Sequence, residues 1–223
     1  MTTTKTTGRH WMSLLAAAVL LVTLGSARPA AAEGFAGDYG CGTYERWMEK
    51  IASDKSVQSP EACTQYGICD DPGVRNTWIP GPDESMTTVR LVIHVLRTSA
   101  GTNPIVSDAT VDMQVAHLNA DYLDSRIQFE HTINYVDSDT WRYLPESEIN
   151  NMKSATAIAP DSQLNIWVTY VLFDYSFGTF PWDFDALSPT GGIVMGHFHF
   201  GTTPNSTLAH EVGHCLGLYH TFR

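Results

Sequence analysis

The sequence predicts an α/β (α+β) fold, a mixed twisted sheet with helices packed on it, and three observations carry that expectation. Residues 89–96 form an almost continuous β-branched and aliphatic run, which suits a strand buried on both faces. Val111, Val115, Leu118 and Tyr122 then recur at helical spacing. Further apolar runs at 164–173 and 192–200 are separated from the first by helical and loop patterns, so strands and helices alternate.

Taken in order, the first element is not part of the fold. Lys5 and Arg9 precede an apolar stretch from Trp11 to Leu24, and Ala30, Ala31 and Ala32 offer small residues for cleavage before Glu33. A charged start, a short apolar centre and a small-residue site read as a secretory signal peptide over 1–32. The apolar stretch is shorter than the roughly 20 residues that span a bilayer, so no membrane association is expected after its removal. Residues 33–87 lack sustained periodicity, are rich in Gly, Pro, Ser, Asp and Cys, and end in Ile79-Pro80-Gly81-Pro82-Asp83. They read as a propeptide and linker, with a short helix near 43–51 where Tyr44, Trp47, Met48 and Ile51 share a face. The alternative is an N-terminal extension of the main domain.

From residue 88 the pattern is that of a folded domain, 88–223. After the first strand, Ser107 or Asp108 caps the helix. Residues 126–136 alternate Ile127, Phe129, His131, Ile133 and Tyr135, as a half-buried strand does. A weaker helix over 145–157, the strand over 164–173 and a Gly/Pro/Asp-rich loop with aromatics follow. The strand over 192–200 comes next, and Asn205 or Ser206 then caps a last helix.

Charge narrows the function classes. Three of the 13 basic residues and none of the 24 acidic ones precede Glu33, so the remainder carries a net charge of −14. A chain this acidic does not suit a phosphate backbone, and no nucleic-acid partner is expected. Four cysteines, Cys41, Cys63, Cys69 and Cys215, follow the signal. In an oxidising compartment an even count suggests disulfides of unknown connectivity.

The chemistry lies in His210-Glu-Val-Gly-His-Cys-Leu-Gly-Leu-Tyr-His220. On a helix His210 and His214 present their rings on one face, a turn apart, to a single ion. A continuous helix would carry His220 nearly to the opposite face, but Gly217 lets the chain turn and bring it back as a third ligand. Three neutral nitrogens leave one position open, the catalytic rather than the structural zinc arrangement. Glu211 stands beside that position as general base toward water. Five fixed positions of this kind recur by chance in on the order of one in 10⁴ chains of this length.

These residues resemble the extended zinc signature of the metzincin metallopeptidases. The longer run Thr207-Leu-Ala-His-Glu-Val-Gly-His-Cys-Leu-Gly-Leu-Tyr-His-Thr-Phe222 is similar to the pappalysin (cytophagalysin-like) branch, and the likeness extends upstream over roughly 88–223. The resemblance implies a secreted zinc endopeptidase acting on protein or peptide substrates, with one catalytic zinc and a metzincin-like upper subdomain above a shallow cleft. The rim strand that pairs with extended substrate is expected at about 192–197. The Met-containing turn and the lower subdomain belong past Arg223 and are missing from this chain, and calcium sites, where relatives have them, mostly fall there. Arg223 is accordingly expected to be a clipped end. A non-catalytic zinc-binding fragment is the rival reading, and the sequence leaves oligomeric state unknown.

Two of the cysteines and four of the other histidines carry further expectations. Cys41, in Gly40-Cys41-Gly42-Thr43, resembles the inhibitory cysteine of a propeptide switch, whose thiolate occupies the open zinc position. An ordinary disulfide partner is the alternative. Cys215 is expected as a small buried helix residue, or as the partner of a downstream cysteine. His197 and His199, two apart, are expected on one face of an exposed edge strand rather than as a second metal site, and His94 and His117 as structural residues.

Overall fold

The computed structural model describes residues 41–53, 80–81, 83–171, 176–201 and 203–220. Two compact units divide the chain, Met1–Gly37 and Asp38–Arg223, and every described residue belongs to the second. The signal peptide expected at 1–32, Cys63 and Cys69 lie outside the described residues. Among those described, no helix is long and apolar enough to cross a membrane.

Among the described residues five strands form one sheet, and every pairing between them is parallel. Strand β1 (Thr87–Arg97) is central, pairing β2 (Ile127–Asp137) along its whole length and β4 (Leu164–Val171) from Leu91↔Leu164 to Val95↔Val168. Strand β4 also pairs β5 (Ile193–Gly196) and, at Tyr170 and Val171, the two-residue β3 (Tyr143–Leu144). Parallel neighbours need crossovers, which bury both sheet faces. This is why β1 reads as an unbroken apolar run, whereas β2 keeps the alternation of a half-exposed strand.

One face carries Leu91, Ile93, Val95, Ile166, Val168, Ile193 and Met195. Helix α2 (Asp108–Tyr122) packs there through Val111, Val115 and Leu118. The opposite face carries Leu96, Trp167, Val171 and Val194. It is covered by Ile149 and Met152, after the short helix α3 (Asp139–Arg142), from α4 (Ile149–Thr156). The expected 145–157 helix therefore begins as a 3₁₀ turn at Glu146–Glu148 before becoming α-helical. Ser107 rather than Asp108 caps α2, its hydroxyl accepting from Thr110 N at 3.2 Å. His94 and His117 are structural as expected: His94 is buried between two asparagines, and His117 faces Asp121 one turn on.

Two expectations need correction. The strand expected at 192–200 stops at Gly196, because His199 N and Phe200 N both donate to Gly196 O and close a turn. His197 and His199 are therefore half-buried turn residues, not exposed edge-strand ones. His197 packs edge-on against Tyr170, and His199 Nδ1 lies 2.9 Å from Ser176 Oγ. The strand ladder also ends differently at its rim. Phe177 and Val194 exchange both backbone hydrogen bonds in an antiparallel bridge, which is what makes the sheet mixed. Strand β5 thus lies between β4 and residues 176–177, and the edge facing the last helix is Ser176–Gly178 rather than 192–197.

Candidate metal centre

Helix α5 (Thr207–Cys215) carries the His-Glu-Val-Gly-His run. Its capping bond comes from Asn205, whose Oδ1 accepts from Thr207 N at 3.0 Å, while Ser206 at the cap position makes no side-chain bond. Leu208 and Val212 anchor α5 on the sheet, and Tyr122 of α2 donates its hydroxyl to Ala209 O at 2.9 Å. Burial pushes that phenol up to about 12, so it stays a donor at any ordinary pH. Leu216 and Leu218, at the end of the helix and beyond it, are exposed.

The helix ends as the sequence implies. Gly217 has φ +95, Gly217 N donates to His214 O, and Leu218 N reaches back to Gly213 O at 2.9 Å. These two bonds are a Schellman close, which needs a left-handed residue at Gly217. The same turn aims Leu218 O at His214 Nδ1, 2.7 Å away. A ring that gives its Nδ1 proton to a carbonyl keeps Nε2 as a lone pair, the form that ligates metal.

Beyond the turn, His220 comes back over α5. The Nε2 atoms of His210, His214 and His220 lie 3.0–3.1 Å from one another. Cys41 Sγ lies 3.3 Å from His214 Nε2, and the four donor atoms all fall within 4.8 Å. Three imidazole nitrogens and a sulfur gathered this closely offer a set of donor atoms that one cation could share. Ligand atoms of one tetrahedral zinc lie about 3.3–3.5 Å apart, so the set fits a single ion.

Glu211 is fully buried beside this cluster. Its Oε2 accepts from Thr43 Oγ1 at 3.0 Å and lies 3.9 Å from Cys41 Sγ. Thr43 belongs to helix α1 (Thr43–Ser53), the short helix expected near 43–51. Its hydroxyl also accepts from Gly178 N at 2.8 Å, while Gly42 N donates to Ser176 O at 2.8 Å. Cys41 to Thr43 therefore runs parallel to the rim edge and uses its hydrogen bonds. Gly178 has no room for a side chain, since a Cβ there would stand 2.9 Å from Glu211 O and 3.1 Å from Cys215 Sγ. Cys215 remains a thiol, and burial pushes it up to about 12.

The rest of α1 is tied down as well. Arg46 pairs with Glu146 at 2.8 Å and lies over the Phe177 ring. Lys50 pairs with Asp183 at 3.3 Å and Asp185 at 2.9 Å. Burial holds the Asp183 carboxyl above its ordinary range, and Lys50 partly offsets this. Trp47 packs among Phe180, Trp182 and Tyr219. The sequence singled out His210, Glu211, His214, His220 and Cys41, and all five come together here. It did not single out Thr43, Ser176, Gly178 or Lys50 as contributors. Only the Cys-Gly-Thr context of Thr43 could have flagged any of them.

No protein-family model matches the chain. An extracellular metalloprotease of Pyricularia oryzae is 30% identical over 155 residues, which cover 63% of this chain and 53% of that protein. Pappalysin-1 of Homo sapiens is 37% identical over 79 residues, 34% of this chain and 5% of the human protein. An extracellular metalloprotease of Colletotrichum graminicola is 26% identical over 92% of this chain and 72% of its own length. The chain thus spans about half of the first of these relatives and a small part of the second. Among solved structures, a promirolysin mutant of Tannerella forsythia has the same fold, with TM-score 0.55 at 23% identity over 81% of this chain and 69% of that one. Mirolysin in complex with a compound gives 0.50 at 23% identity over 61% of this chain and 65% of that one. In sequence the chain is similar to extracellular metalloproteases and to a part of pappalysin-1, and in fold it is similar to promirolysin.

Proposed function

We propose that this chain is the upper catalytic part of a secreted zinc endopeptidase held latent by its own N-terminal segment. The observation that carries the reading is the convergence of three histidine Nε2 atoms at 3.0–3.1 Å beside the buried Glu211. His210, His214 and His220 would hold one zinc ion. When bound, the ion supplies Lewis acidity, which polarises a carbonyl and eases the ionisation of water. Glu211 takes a proton from water and returns it to the departing amine, a role suited to a carboxylate kept out of bulk solvent beside the reacting atoms. Ser176 O and Gly178 N offer an edge on which an extended substrate pairs by main-chain hydrogen bonds. The names of the relatives support protein substrates and action outside the cell.

In the latent form each of these groups already has a tenant. Cys41 takes the fourth position at the histidine cluster, Thr43 covers Glu211, and Gly42 and Thr43 use the edge. The same contact favours a second reading, a closed three-histidine, one-cysteine set that holds zinc without catalysis.

One experiment separates the two: cleavage of an unfolded protein by the chain after proteolytic removal of residues 1–87, with and without chelator, and with Glu211→Ala alongside. Chelator-sensitive cleavage that Glu211→Ala lowers by roughly 10²–10⁴-fold, with zinc still bound, is the expected outcome. Zinc retained with no cleavage, here and in a chain extended past Arg223, would leave the non-catalytic reading.

A further inference from the structure

The loop leading into β5 and the segment leaving α5 set three aromatic rings side by side next to His214. Phe180 stacks on Trp182 at 4.7 Å between centroids, and Trp182 stacks on Tyr219 at 5.2 Å. Phe180 also meets Tyr219 at 5.2 Å and the His214 ring edge-on at 5.4 Å. Trp182 rests over Gly217, where a Cβ would come within 3.3 Å of its ring. None of these contacts involves α1, so the three walls hold one another in place without it.

The cup they form is occupied by Trp47. Its ring lies 5.6 Å from Phe180, 5.9 Å from Tyr219 and 6.5 Å from Trp182, edge-on or tilted to each, and it is only 4% exposed. Phe180 is 1% exposed and Trp182 46%, so the cup is deep at Phe180 and opens to solvent past Trp182. Trp47 reaches it from the backbone that has just run along the Ser176–Gly178 edge.

We propose that Phe180, Trp182 and Tyr219 form a substrate subsite for a flat aromatic side chain, which Trp47 fills only while α1 is docked. The proposal rests on the peptidase reading above. Three ring faces and edges favour another ring over an aliphatic chain of similar area, because offset and edge-to-face pairs add attraction beyond burial. The walls are preformed, so an incoming ring need not organise them. The location follows from the edge. A strand pairing antiparallel with Ser176–Gly178 runs opposite to Cys41–Thr43, and the residue it brings to the cup lies N-terminal to the cut bond.

The test uses the full chain with Trp47→Ala, which clears the cup, and Trp47→Phe, which keeps it filled. Binding of N-acetyl-tryptophanamide and of N-acetyl-alaninamide is followed by NMR shifts. Cleavage is followed, with the protein freed of residues 1–87, on peptide pairs that differ only by Trp or Ala at successive positions before the cut bond. The tryptophan probe should bind Trp47→Ala, with the alanine probe and the Trp47→Phe protein giving no shift. At one position the Trp peptide should be favoured in kcat/KM by roughly tenfold. Adding Trp182→Ala should bring that ratio toward one and weaken the probe by a similar factor. Probe binding with no hydrolysis of any peptide would sink the peptidase reading and leave the aromatic site standing. Hydrolysis at equal rates within every pair, with no probe shift in Trp47→Ala, would overturn the subsite and leave the peptidase reading intact.

Discussion

His94 and His214 are both buried, 0% and 3% exposed, yet their surroundings end differently. His94 Nε2 donates to Asn165 Oδ1 at 2.8 Å, Nδ1 accepts from Asn134 Nδ2 at 2.9 Å, and the ring stacks on Trp167 at 4.9 Å. Both nitrogens are used within the protein, and burial lowers its pKa, which keeps it neutral. His214 also commits one nitrogen, Nδ1, to the Leu218 carbonyl, but its Nε2 faces two other imidazole nitrogens and a sulfur. Burial alone therefore does not mark a ligand. The second nitrogen distinguishes them: an amide closes a network at His94, whereas ring nitrogens and a sulfur gathered at His214 suit a shared cation.

The largest effect expected from that contrast is on metal content. His214→Ala should weaken zinc binding by roughly a hundredfold or more, read as loss of stoichiometric zinc by elemental analysis, while His94→Ala keeps it. Zinc lost from both variants, or from neither, would break the contrast.

Lys153 extends the comparison as a buried base with only carbonyl partners. Its Nζ lies 3.0 Å from Thr190 O and 3.5 Å from Gly192 O, between the Trp167 and Phe177 rings. Burial pushes the amine down to about 7; Asp185 works against this, and Lys50 and Arg46 reinforce it. The unfolded chain holds this proton up to 10.5, the ordinary value, and the folded chain only up to about 7. Stability should therefore rise with pH across that window, by about 3–5 kcal/mol, and lose this slope below it. Denaturant melts at several pH values, beside Lys153→Met, would read the rise and its disappearance in the variant.

A smaller effect, about 2–4 kcal/mol of destabilisation, is expected for His94→Ala from the lost ring and its two hydrogen bonds. The smallest is for Gly217→Ala, about 1–2 kcal/mol by denaturant melts, since a Cβ must enter left-handed backbone beneath Trp182. A neutral result there would show that the turn presenting Leu218 O to His214 does not need glycine.

Much of the centre was legible because it is local. Two histidines four apart on a helix and a glycine three residues after the second need only helical geometry to interpret. The strands of the sheet were legible for a similar reason, since burial on both faces writes an unbroken apolar run. The last strand was overextended because His197, Phe198 and His199 alternate well enough with their neighbours to continue it. Gly196 O, by accepting two turn bonds, is what stops it. Lys153 was missed because a single lysine in a weak amphipathic helix reads as its solvent edge, and only the packed loop over Thr190 and Gly192 removes it from water.

By itself, then, the sequence determined the strand and helix order, the three clustered histidines, the acid beside them and the turn that brings back His220. Each rests on spacing within one element or across one turn. Tertiary structure alone decided that Ser176–Gly178 is the rim edge, that Cys41 reaches the centre rather than a disulfide and Thr43 comes with it, and that Trp47 fills an aromatic cup. The contacts of Cys41, Thr43 and Trp47 join residues more than a hundred positions apart, and no periodicity along the chain encodes which distant surface a segment will cover.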